Sequence, residues 1–191
     1  MKQSEIMKQL SDKELKQQLL LSQLFIAATA IILSFFLFDS VLDWLLYFNW
    51  DIEEIFMYGV LPGITIVVFD LVIIRLFPKE AYDDGGINER IFRNQSVIYI
   101  FSISLLVAVS EELLFRGVIQ TVFGYFSASI LFALVHIRYL KKPVLFISVL
   151  LTSFFIGYLF MATENLVVTI TAHFLVDFLL GLMIRFKKEV Q

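Results

Sequence analysis

The stretch SVIYIFSISLLVAVSEELLFRGVIQTV, Ser96 to Val122, decides how this chain must be read. As far as Val109 it is apolar enough to lie in hydrocarbon. Glu111, Glu112 and Arg116 then arrive within two helical turns, and the apolar run resumes at Gly117. A charge near the middle of a membrane helix costs roughly 2.5–3.5 kcal/mol on insertion scales, so three together call for partners or a function. Glu112 and Arg116 stand four apart, share a helix face and can pair. Glu111 is rotated by about 100° from Glu112 and points elsewhere, without that local partner.

The rest of the chain supports a membrane setting. Hydrophobic residues make up 59% of the 191 and charged residues only 17%, against about 45–50% and about 25% in soluble domains. Phenylalanine alone occurs 21 times and the mean hydropathy is +0.84, more apolar surface than a soluble domain of this length can hide. A bilayer core needs about 20 apolar residues per helix. Six candidate spans follow: 19–38, 55–77 with a kink expected at Pro62-Gly63, 96–122, 127–139, 144–161 and 166–184. The first 18 residues are polar and charged, and no small-residue cleavage site follows the first apolar run, so that run reads as an uncleaved span.

Lysine and arginine test this division. Apart from Arg116, every one falls within residues 2–16, 75–93, 138–142 or 185–188. Asp39 to Glu54 is instead acidic and aromatic, with Trp44, Tyr47 and Trp50 suited to the membrane interface. The positive-inside rule then gives an all-α polytopic bundle of about six spans with both termini cytoplasmic. The organisation is a polar cytoplasmic segment (1–18), two helices with a cytoplasmic loop (19–95), a catalytic helical core (96–184) and a basic tail (185–191).

The two histidines, His136 and His173, both fall within candidate spans, and Asp177 lies one turn after His173 on the same face. Counted at 1.5 Å per residue from a turn at Gly124-Tyr125, Glu111, His136, His173 and Asp177 fall in one layer toward the cytoplasmic half. A carboxylate beside a neutral imidazole can deprotonate a water, and a second imidazole can donate to a developing oxyanion. Cysteine is absent, which removes disulfides, thiolate metal sites and cysteine nucleophiles. Glu111, His136, His173 and Asp177 are also a reasonable ligand set for a divalent metal such as zinc. The soluble zinc-peptidase motif is missing, so metal dependence stays open. A net charge of −3 gives no reason to expect nucleic acid. Asp70 and Arg75 read as residues that snorkel or pair at the interface, Glu164 and Asn165 as caps of the last helix, and Gly117, Gly124, Gly157 and Gly181 as points of close helix approach.

The three motifs Glu111-Glu112-x-x-x-Arg116, Phe132-x-x-x-His136 and His173-x-x-x-Asp177 resemble the signature of the CAAX-prenyl-endopeptidase and bacteriocin-processing group, called CPBP or Abi proteins. The resemblance covers residues 96–184. It implies an intramembrane endopeptidase of the bacterial plasma membrane, acting on membrane-associated peptides or proteins. Glu111 would act with His136 on the attacking water, His173 and residue 177 would serve the oxyanion, and Glu112 with Arg116 would support them. The family commonly has asparagine where this chain has Asp177. That leaves three roles open for Asp177: a protonated donor, an orienter of His173 or a metal ligand. The alternative readings are a non-catalytic immunity or scaffold protein and a small proton-coupled transporter, the latter without the internal repeat of many transporter folds.

Overall fold

The computed structural model describes residues 10–187. Residues 1–9 of the polar N-terminal segment and residues 188–191 of the basic tail lie outside the described residues. Every regular element among the described residues is helical. Helix α1 (Asp12–Leu37) starts at a capping box, in which the Ser11 hydroxyl accepts from the Glu14 N–H and the Glu14 carboxylate accepts from the Ser11 N–H. The helix therefore begins at Asp12, ahead of the apolar run. After a 3-10 turn at Val41–Tyr47, α2 (Ile52–Leu76) follows. The short helices α3 (Lys79–Tyr82) and α4 (Ile87–Phe92) come next. Then come α5 (Val97–Phe123), α6 (Tyr125–Val135), α7 (Pro143–Thr163) and α8 (Leu166–Phe186).

Helices α1, α2, α5, α7 and α8 are long and apolar enough to cross a membrane. Their outer faces carry Phe25, Phe36 and Ile98 at 74, 80 and 78% exposure, side chains that only lipid would solvate well. The chain is an all-α membrane protein. The bounds of the expected fourth span, 127–139, are corrected: α6 has 11 residues and stops at Val135. At 1.5 Å per residue that is roughly 16 Å, about half of a hydrocarbon core. The reason is local. His136 Nδ1 donates to the Phe132 carbonyl at 2.8 Å, taking the acceptor that the next helical N–H would use. The His136 N–H turns instead to the Ala133 carbonyl, and a 3-10 turn at Ile137–Tyr139 follows. His136 therefore ends its helix rather than lying inside it.

Two of the long helices contain π turns. In α2 the turn covers Ile55–Val60, where the Leu61 N–H reaches the Phe56 carbonyl five residues back. The kink expected at Pro62-Gly63 thus falls directly after a π turn, and the helix continues to Leu76. In α5 the π turn covers Leu113–Gln120 and buries Leu114 through Gln120 without interruption. Helix α8 occupies the middle, packed on α5, α2, α7 and α4, while α5 also carries α1 and α6 and α6 lies on α7. Arg90–Asp12, Arg138–Asn88 and Lys142–Glu80 contacts gather the basic loops at one end. At the acidic end Asn165 caps α8, accepting from the Val167 N–H at 3.0 Å and donating to Glu54 at 2.7 Å.

Close packing explains most of the glycines noted in the sequence. A Cβ at Gly157 would come within 2.9 Å of Ser129 Oγ, and one at Gly117 within 2.5 Å of the Trp44 ring. Trp44 therefore rests on the π turn of α5. Gly124 is corrected: a Cβ there would meet nothing within 4 Å, and the residue instead makes the α5–α6 turn at φ +86°. The expected Asp70–Arg75 pair is also replaced, since Asp70 accepts from the Ser148 hydroxyl at 2.6 Å across to α7. Gly117→Ala is expected to cost about 1–3 kcal/mol by overpacking. Unfolding of the detergent-solubilised variant measures this, and Trp44→Phe in the same chain should return part of the loss.

Candidate active site

The end of the regular part of α5 places Glu111 and Glu112 side by side, 7% and 0% exposed, facing α8 and α1. Glu112 and Arg116 pair as their spacing predicts, with Nε to Oε2 at 3.4 Å and both side chains fully buried. Arg116 also donates through Nη2 to the Ser153 carbonyl at 3.1 Å and to its hydroxyl at 3.2 Å. Its guanidinium lies over the Phe132 ring, 5.1 Å from the centroid. One side chain thus joins α5, α6 and α7. The Thr121 hydroxyl donates to the Arg116 carbonyl at 3.2 Å, satisfying a backbone acceptor within the π turn.

His173 on α8 links both glutamates. Its Nδ1 is 2.9 Å from Glu112 Oε1. An ionised carboxylate only accepts, so Nδ1 carries the proton and Nε2 is the free edge of the ring. That edge lies 3.9 Å from Glu111 Oε2 and 3.6 Å from Asp177 Oδ2. Both gaps are too long for a direct hydrogen bond. His136 follows the same logic: its Nδ1 is tied to the Phe132 carbonyl, which leaves Nε2 as the acceptor of the neutral ring. The Phe132 ring neighbours both imidazoles, 4.8 Å from His136 and 5.9 Å from His173.

The structure therefore joins Glu111, Glu112, Arg116, His173 and Asp177 by direct polar proximity and brings in His136 through Phe132. Two participants carried no clear signal in the sequence. Gln23 on α1 donates its amide to Glu111 Oε1 at 3.1 Å and is 4% exposed. Arg138 donates to the Tyr139 hydroxyl at 2.6 Å, and the Tyr139 ring stacks on His136 at 5.8 Å. A lone glutamine inside an apolar span was the available clue to the first, and an arginine two residues past a motif histidine the clue to the second.

A zinc site would need three protein ligands converging on one point. Among the described residues no three His, Asp or Glu side chains are grouped to hold a metal ion. Two of the ring nitrogens and Glu112 are already committed to the contacts above.

A bundle of apolar helices with a buried Glu-Glu-Arg-His cluster on α5 and α8 defines a membrane protein with an ionisable site inside its helical core. Residues 93–179 match the family model described as type II CAAX prenyl endopeptidase Rce1-like. A Bacillus subtilis (strain 168) protein, named "Uncharacterized protein YpbD", is 42% identical over 169 residues, covering 87% of this chain and 88% of its own. No solved structure matches. The chain belongs to the Rce1-like, or CPBP, family of CAAX-type membrane proteases.

Proposed function

We propose that the protein is an intramembrane endopeptidase that hydrolyses peptide bonds of membrane-associated peptides or proteins with a water activated by Glu111. The observation that carries this reading is the free edge of His173. Glu112 holds the ring through Nδ1 at 2.9 Å, and Nε2 faces Glu111 Oε2 at 3.9 Å. A single bound water can span a polar gap of that size.

Glu111, with the acceptor nitrogen of His136, takes a proton from that water. The hydroxide attacks the scissile carbonyl carbon, and the carbonyl oxygen becomes an oxyanion. His173, protonated on both nitrogens, donates Nε2–H to it. Glu111 then passes its proton to the departing amine nitrogen, so one water is consumed and one acid and one amine are released. Asp177 does not need to donate in this scheme. Its carboxylate, 3.6 Å from Nε2, balances the charge on His173, which favours the orienting role among the three left open above. Arg116 neutralises Glu112 and keeps α5 in register with α6 and α7. The basic end of the bundle faces the cytoplasm of a bacterial plasma membrane, in keeping with the positive-inside rule.

The test is cleavage of a panel of membrane-anchored peptides by the purified protein in detergent, with products identified by mass and parallel reactions run with a metal chelator. Cleavage that persists with the chelator supports the scheme. Cleavage lost with the chelator and restored by zinc would replace Glu111-driven activation with a metal-dependent one. A folded protein that cuts no member of the panel would favour a scaffold.

A further inference from the structure

Glu111 is held from a helix that lies outside the segment matching the family. Helix α1 packs at the edge of the bundle, and its buried residues are Leu15, Gln23, Ala30 and Ser34. The Ser34 hydroxyl bonds within its own helix, to the Ile31 carbonyl. The Gln23 side chain instead crosses to α5 and donates Nε2–H to Glu111 Oε1 at 3.1 Å. Its own amide oxygen is buried with no hydrogen-bond donor. A buried amide with an unpaired oxygen is disfavoured against leucine or methionine at the same place, so packing alone does not account for glutamine here.

The contact does, however, fix one oxygen of the carboxylate. The terminal torsion of a glutamate side chain is broad and nearly free. With Oε1 held by Gln23, Oε2 is the oxygen turned toward His173. We infer that Gln23 is a positioning residue of the site: it anchors Oε1 of Glu111 so that Oε2 is presented to the attacking water. The inference rests on the function proposed above and adds a contribution from α1 to a site otherwise built on α5, α6 and α8.

The experiment measures kcat, KM and melting temperature for wild type, Gln23→Met, Glu111→Gln and the double variant, on the panel peptide that wild type cleaves fastest. Methionine has similar volume and no group that can hold the carboxylate. Small misplacements of a reacting group cost up to about 100-fold. Gln23→Met should therefore lower kcat by roughly 10- to 100-fold with KM nearly unchanged. Its melting temperature should shift little, because Glu111 Oε1 loses its donor while the unpaired amide oxygen of Gln23 goes with it. In the Glu111→Gln background the same substitution should have no further effect on the residual rate. Wild-type kcat in Gln23→Met, or a fall in melting temperature with kcat preserved in the folded fraction, overturns the inference while leaving the proposed function standing. An additional kcat loss in the double variant also overturns it. Wild-type cleavage by Glu111→Gln overturns both.

Discussion

Glu111→Gln should lower kcat/KM by roughly 10²–10⁴-fold, the range typical of a lost general acid–base, and leave the melting temperature close to that of wild type. Glutamine has the same shape, and its side-chain oxygen can still accept from Gln23, which now bonds Oε1 at 3.1 Å. What disappears is the basic oxygen facing His173 Nε2. The loss should appear in kcat with KM little changed, because the carboxylate works on the water during reaction and not on the substrate at rest. Rates on the panel peptide that wild type cleaves fastest, normalised to folded protein, measure this. A variant within threefold of wild type would remove Glu111 from the chemistry.

Arg116→Met is the largest expected blow to stability. The guanidinium is fully buried, pairs with Glu112 at 3.4 Å and bonds Ser153 on α7. Removing one member of a buried ion pair leaves the other charge uncompensated and costs about 3–5 kcal/mol. Here Glu112 would keep only His173 as a cationic partner. Denaturant or SDS titration of the purified variant should show that loss. Adding Glu112→Gln to Arg116→Met should return much of the stability, because no unpaired charge remains in the core. Activity should not return, since the anion that fixes His173 is then gone. A single variant as stable as wild type would show that Arg116 is not holding the helices together.

Much of the site was legible because charge is so costly in hydrocarbon. Glu111, Glu112 and Arg116 stood out against an apolar span, and simple helical spacing correctly paired Glu112 with Arg116 and set Asp177 beside His173. Spacing could not show that His173 turns its Nδ1 to Glu112, because that contact joins two helices and depends on ring orientation. The π turns were also hidden. An i to i+5 bond has no compositional mark, yet one of them starts directly after Glu112 and buries a continuous run through Gln120. Helix α6 was overestimated because apolar composition continues past the point where the His136 side chain takes the Phe132 carbonyl and ends the helix. Gln23 was missed for the opposite reason: an uncharged amide in an apolar span is cheap enough to pass without notice, and only the packing of α1 on α5 shows what it holds.

In the proposed reaction Glu111 and His173 act as one unit on one water. A double-mutant cycle on kcat/KM with Glu111→Gln and His173→Gln tests this most directly, since glutamine at 173 can still donate to Glu112. Each single variant should lose roughly 10²–10⁴-fold, and the double variant should be no more than about threefold worse than the poorer single, as for catalytic groups that work together. Losses that multiply in the double variant, or a single variant with wild-type activity, would contradict the shared site.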